Sequence, residues 1–232
     1  MPTIECAVWF SGPMALTENR LALLDGTELE RLHAYRREPD RQRFLTGRVL
    51  TKTVLAGRLE RAPEKIQLDS GCPECGRPHG APRLLEEGAP VFSISHSGDR
   101  VALAITDGTP VGVDVEQVAA TVQDGMHRHV LNAAEQLVMD QLPANEQVSA
   151  FFTYWTRKEA LVKACRRGIA LPMPQLTVTG PGESARLLSS ESPDLDPART
   201  GMRDLEPGEH YRASVAALTG ESLRVTTHWF TE

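Results

Sequence analysis

No stretch of this sequence approaches the ~18 consecutive apolar residues of a membrane span, so no transmembrane segment and no membrane partner are expected. The first ten residues, Met1 to Phe10, alternate in polarity and do not follow a basic-then-apolar pattern, so no secretory leader is expected. Cysteine is scarce: Cys6 and Cys165 stand alone, and only Cys72 and Cys75 lie close together. That is a poor disulfide framework and points to a reducing, cytoplasmic setting. A basic excess is also missing. The net charge of −6 argues against a nucleic-acid partner, which calls for a basic domain or stripe.

What is present is ordinary globular material. Hydrophobic residues make up 41% of the 232, enough for a core that needs no disulfides. The length fits one large domain or two small halves. Ile4 to Phe10 reads as a strand, and Thr27 to Tyr35 as a helix with Thr27 at its N-cap. Pro39 opens a longer helix to about Arg61. Glu64 to Gly88 is broken by glycine and proline. Val91 to Ser95, Val101 to Thr106 and Pro110 to Glu116 read as a meander of adjacent strands, separated by Ser97–Gly98–Asp99 and Asp107–Gly108. His127 to Leu142 reads as one helix, and Glu146 to Arg167 as another capped by Gly168. Gly180 to Pro207 reads as a long surface excursion. Tyr211 to Leu218 and Leu223 to Phe230 read as a closing pair of strands.

Four groups of residues could carry chemistry. Asp114 and Glu116 are two apart on a strand, so both project from one face while Val111, Val113 and Val115 form the other. Paired carboxylates suit a hard cation, and an exposed strand face fits the same pattern. On the helix through Trp155, a stripe of Val148, Phe151, Phe152 and Val162 also takes in Glu159, a carboxylate that is costly to bury without a partner. Lys163, four residues on, has the spacing of a helical Glu–Lys pair. Ser93 to Ser97, with His96, offers hydroxyl and imidazole donors for phosphate, and reads equally as a turn with a satisfied histidine. Cys72, Cys75 and His79 give three of the four ligands a structural zinc would need. Arg31, Arg36, Arg37, Arg41, Arg43 and Arg48 form either a solvated helix face or a local basic site.

Two long motifs then carry a family resemblance. Val111–Gly112–Val113–Asp114–Val115–Glu116 resembles the G(I/V)D(I/V)E signature of the 4′-phosphopantetheinyl transferases, and Trp155 to Lys163 resembles their WxxKEAxxK signature. Phe92 to Gly98 is similar to their FNISHSG segment, and His79 to Pro82 to their (Y/H)GKP segment. Order and spacing resemble the larger, Sfp-type branch, over Thr27 to Pro172.

The resemblance implies an α/β (α+β) fold of two similar halves, residues 1–108 and 109–232, about a pseudo-twofold axis in a monomer, with the active site between them. It implies Mg2+-dependent transfer of phosphopantetheine from coenzyme A to a serine of an apo acyl or peptidyl carrier protein, as in polyketide or nonribosomal peptide biosynthesis. Asp114, Glu116 and Glu159 would be the metal ligands, with Glu159 also the base and Lys163 and His96 completing the catalytic set. Ser95, His96, Lys158 and Lys163 would meet coenzyme A phosphates, and Arg31, Arg43 and Arg48 would grip the nucleotide. Three positions depart from the pattern. The GKP lysine is Ala81, with Arg83 expected to supply the charge; the asparagine of FNISHS is Ser93; a family hydroxyl position aligns with Phe44. The rival expectations are a non-catalytic coenzyme A or carrier-protein binding module and a zinc-stabilised interaction domain.

Overall fold

The computed structural model describes residues 2–72, 76–77, 80–166 and 171–231. Strand β1 (Thr3–Ser11) leads to a short helix α1 (Glu18–Leu21), then α2 (Gly26–Ala34) and the long α3 (Glu38–Leu59). The start of α2 differs from the sequence expectation. Asp25, not Thr27, is the N-cap: its carboxylate accepts from the Glu28 N–H at 2.8 Å, and Glu28 accepts from the Asp25 N–H at 3.0 Å. Pro39 lies in the first turn of α3 as expected.

β2 (Val91–Ser97) and β3 (Arg100–Thr106) form an antiparallel hairpin, followed by β4 (Val111–Gln117). The meander ends there. β4 leaves the sheet and pairs with β8 (Tyr211–Ala217). The helix expected over His127 to Leu142 is two, α4 (Met126–Val130) and α5 (Ala133–Gln141), because Asn132 and Glu135 form a second capping box that restarts the chain. Helix α6 (Ala144–Ala164) follows; Gly168, the expected cap, lies outside the described residues. Residues 180–207 are not a plain excursion. A small hairpin of β5 (Leu176–Val178) and β6 (Leu187–Ser190) buries Leu187, Leu195 is also buried, and β7 (Gly201–Leu205) pairs with β8. The last two strands do not pair with each other: β9 (Ser222–Trp229) runs parallel to β1.

The result is an α/β molecule in four layers. One sheet has the order β2-β3-β1-β9 and the other β4-β8-β7. Between them lies a core of Cys6, Val8 and Phe10 from β1, Ala102 and Ala104 from β3, the three valines of β4, and Ala213 and Val215 from β8. On the outer face of the first sheet, Leu50, Leu55 and Ala56 of α3 cover Val101, Leu103 and Ile105. On the outer face of the second, Ala160, Leu161 and Ala164 of α6 pack with Ala216. The alternation of β4 thus sends its valines inward and turns Gly112, Asp114 and Glu116 toward α6.

Candidate active site

The approach of α6 to β4 begins with a glycine. A Cβ on Gly112 would stand 2.0 Å from the Ala160 carbonyl oxygen and 2.4 Å from the Ala164 nitrogen. No other residue lets the helix backbone come so near. Two residues on, Asp114 is only 2% exposed, which removes the exposed-face reading. Its Oδ1 accepts from Ser95 Oγ at 2.7 Å and from Lys163 Nζ at 2.6 Å, and that ammonium also donates to Ser95 Oγ at 2.9 Å. Asp114 Oδ2 is buried with no hydrogen-bond partner among the described residues.

Glu116 accepts from Ser97 Oγ at 2.6 Å. Burial first, and the charge of Asp114 second, push its carboxyl up to about 7. Glu159, half-buried on α6, is raised by burial and then by Asp114, with Lys163 acting in the opposite direction. The three acids of the two signatures therefore feel one another electrostatically. The expected Glu159–Lys163 helical pair is not what forms: Lys163 crosses to the sheet and pairs with Asp114. Among the described residues, no three His, Cys, Asp or Glu side chains stand ready around one metal position. Ser95 and Lys163 hold Asp114, and Ser97 holds Glu116.

The serines also join the two sheets. Ser93, Ser95 and Ser97 share one face of β2. Ser93 Oγ accepts from the Val113 N–H and Ser97 Oγ from the Gln117 N–H, each at 3.1 Å. Hydroxyls thus occupy the place a neighbouring strand would have beside β4. Sequence reasoning missed Ser97 as a partner of Glu116, although the two-residue spacing of the serines was a visible signal. It also missed Tyr211, whose hydroxyl accepts from the Asp99 N–H at 2.9 Å and so fixes the turn after Ser97. Gly98 in that turn has φ +55, and a Cβ there would lie 2.3 Å from the Tyr211 hydroxyl.

The expected coenzyme A residues divide into two groups. His96 is exposed at the end of β2, yet enough protein crowds it to lower its proton affinity, with the charges of Arg43 and Lys163 acting the same way. Arg43 is beside it, donating to the Gly98 carbonyl at 2.9 Å and paired with Asp40. Arg31 lies over the Phe44 ring at 5.7 Å. Arg83 pairs with Asp69 at 2.7 Å and has Arg166 as a charged neighbour, a basic residue sequence reasoning did not single out.

Lys158 is a correction, and Arg48 is buried more deeply than a surface grip would be. Arg48 is 6% exposed, paired with Glu28 at 3.2 Å and stacked 4.9 Å over the Phe44 ring. Lys158 is fully buried; its ammonium pairs with Glu135 and donates to the Val130 and Met173 carbonyls at 2.8 and 3.1 Å. An ammonium with three donors and three internal partners has nothing left for a phosphate. Lys158 thus holds the interior together, whereas Arg48 Nε has no hydrogen-bond partner among the described residues. The Trp155 stripe is likewise only part of what α6 buries, since Tyr154, Thr156, Arg157 and Leu161 on its other sides are buried as well. Cys75 and His79 of the zinc reading lie outside the described residues.

Residues 110–216 match the sequence model of the 4′-phosphopantetheinyl transferase superfamily. The chain is similar to the 4′-phosphopantetheinyl transferase HetI of Nostoc sp., at 28% identity over 206 residues, which is 88% of this chain and 82% of that protein. It is 30% identical over 212 residues to a phosphopantetheinyl transferase of Thraustochytrium sp., covering 84% of this chain and 69% of the relative. It spans 59% and 58% of the length of curated relatives from Synechocystis sp. and Escherichia coli. Among solved structures, the Thermotoga maritima holo-[acyl-carrier-protein] synthase matches with a TM-score of 0.39 at 16% identity, over 49% of this chain and 63% of that one.

Proposed function

The chain belongs to the 4′-phosphopantetheinyl transferase superfamily, and we infer that it moves the phosphopantetheine arm of coenzyme A onto a serine hydroxyl of an apo acyl or peptidyl carrier protein. The released product is adenosine 3′,5′-bisphosphate. The observation that carries this reading is the acid group at the α6–β4 contact. Two of its three carboxylates hold their protons more tightly than usual, the third has a buried oxygen without a donor, and Lys163 is the cation bonded to it.

That donor set fits a hard divalent ion, because an all-oxygen cluster with unrelieved repulsion gains most from one. We propose magnesium, held by Asp114, Glu116 and Glu159. When bound, the ion supplies positive charge to the substrate's phosphate oxygens. The chain's own residues do the rest. Glu159, whose proton affinity burial has raised, takes the proton from the attacking serine hydroxyl. A bond forms between that serine Oγ and the β-phosphorus, and the bond to the bridging oxygen of the nucleotide breaks. Lys163 donates to the phosphate oxygens as charge develops there. Ser95 and His96 donate to the pyrophosphate, and Arg31, Arg43 and Arg83 grip the nucleotide end.

A division near residues 108 and 109 belongs to the same proposal, as does action by a single copy in the cytoplasm. Among the described residues no helix is long and apolar enough to cross a membrane. The test is a mass-shift assay with coenzyme A, Mg2+ and a panel of apo carrier proteins. Gain of the phosphopantetheine mass on at least one carrier supports the reading; no gain across several unrelated carriers overturns it.

A further inference from the structure

Helix α6 meets the second sheet through polar groups as well as through its apolar face. Asp114 on β4, Ser214 on β8 and Asp204 on β7 lie directly opposite one another in the ladder. They form one row on the α6 side of the sheet, buried at Asp114 and Ser214 and open to solvent at Asp204, whose side chain is 39% exposed. From the helix, Lys163 reaches Asp114 at 2.6 Å, Thr156 Oγ1 lies 3.2 Å from Ser214 Oγ, and Arg157 reaches Asp204. Ser214 in turn donates to Asp204 at 2.9 Å. Thr156, Glu159 and Lys163 are spaced at three and seven residues, so they fall along one side of the helix.

The Arg157 rung is the most fully satisfied. Its side chain has no exposure. Nε and Nη2 donate to the two Asp204 oxygens at 3.0 and 2.5 Å. Nη1 donates to the Thr179 and Gly180 carbonyls at 2.7 and 2.9 Å, and Nη2 also donates to the Glu183 carbonyl at 2.7 Å. Every guanidinium N–H therefore has an acceptor. Apolar packing of α6 against Ala216 and its neighbours is non-directional and tolerates a small slide or roll. A bidentate fork fixes both distance and angle.

We propose that Arg157 is a positioning residue. Through Asp204 and Ser214 it sets the height and rotation of α6 over the sheet, so that Glu159 and Lys163 come to rest beside Asp114. This rests on the functional reading above and adds to it a residue that touches neither substrate nor metal. Residues that only orient a site's own ligands typically contribute about 10–100-fold in activity or metal affinity, and a misplacement of about 1 Å can cost ~10²-fold.

The experiment compares the full chain with Asp204→Asn and Arg157→Lys, and uses Arg203→Ala, an exposed neighbour on the opposite face of the same strand, as a control. Each is assayed well below its own melting temperature, with circular dichroism confirming the fold. Two readouts are taken: kcat and the coenzyme A KM, and binding of Mn2+ to the protein without coenzyme A. Asp204→Asn is expected to lower kcat about 10–100-fold with KM within about threefold, and to weaken Mn2+ binding by a similar factor. Arg157→Lys should fail to restore either, because an ammonium cannot reproduce the fork. Arg203→Ala should match the parent. If the folded variants keep the parent's kcat and Mn2+ affinity while only melting temperature falls, Arg157 is a stabiliser and the inference is overturned. A parent with neither transfer nor Mn2+ binding would instead defeat the functional reading, and this inference with it.

Discussion

Helices α2 and α3 in the first part of the chain and α5 and α6 in the second use the same internal support. In each, the glutamate of a capping box is buried and turned to a lysine of the following long helix. Glu28 pairs with Lys52 at 2.6 Å, and Glu135 pairs with Lys158. Each lysine also reaches a backbone carbonyl, Leu23 for Lys52 and Val130 for Lys158, both at 2.8 Å. The difference lies one residue further on. After Lys158 come Glu159 and, four later, Lys163; after Lys52, the same positions hold Thr53 and Gly57. The supporting device occurs twice, and the acids of the proposed site occur once. A buried ion pair of this kind places a helix; it does not by itself make a site.

The largest effect that would sharpen this contrast is on catalysis. Asp114→Ala should reduce transfer by at least about 10²–10³-fold with an unchanged circular dichroism spectrum, whereas Thr53→Val should stay within about twofold. Full activity of Asp114→Ala in the mass-shift assay would remove the metal assignment. Next come the supports. Lys158→Met leaves Glu135 buried beside no cation and should cost about 3–5 kcal/mol in urea unfolding. Lys52→Met should cost less, because Glu28 keeps Arg48 at 3.2 Å. Equal losses would show that Arg48 contributes nothing to the first support.

Glycines give a smaller contrast. Gly112→Ala drives a methyl into the Ala160 carbonyl and should cost roughly 1–3 kcal/mol with loss of activity. The same change at Gly47 on α3 meets only Ile94 Cγ2 at 3.5 Å, so it should be neutral or stabilise by up to about 1 kcal/mol. The smallest effect is on pH dependence. The folded protein raises the Glu116 carboxyl from 4.5 to about 7, so it binds that proton more tightly than the unfolded chain does. The corresponding stability is complete below pH 4.5 and is lost as pH rises through about 7. In chelator-treated protein the unfolding free energy should therefore decline over that window by on the order of 1–3 kcal/mol, and Glu116→Gln should remove the decline.

That Asp114 and Glu116 share one face was readable from β4 alone; that this face is covered by α6 was not. Valines at every second position demanded a buried face, and Asp114 and Glu116 had to share the other. Glu159 followed from a carboxylate placed in an apolar stripe. What could not be read was the identity of distant partners. Asp107–Gly108 looks like a hairpin turn, but β4 bonds to a strand about a hundred residues later. β9 is a largely exposed edge strand joined to β1 by a parallel ladder, and no local pattern in its sequence records that distant partner. Lys158 sits inside a recognisable motif, yet its counter-ion lies 23 residues earlier, so sequence alone could not separate an internal cation from one offered to phosphate. The break between α4 and α5 was within reach, because Asn132 and Glu135 spell out a capping box.

The hydroxyls of β2 have one more consequence. Among the described residues no backbone ladder links the two sheets, and at the acid edge they meet through side chains of Ser93, Ser95 and Ser97. Cut at the Asp107–Gly108 turn, the chain would yield two pieces, each keeping a three-stranded core of its own. The later piece would also carry β9 as a loose arm, whose ladder partner β1 is in the earlier piece. That arm is a built-in splint. It makes the molecule a candidate for fragment complementation, in which recovered transfer activity reports that β9 has found its groove and closed the serine seam.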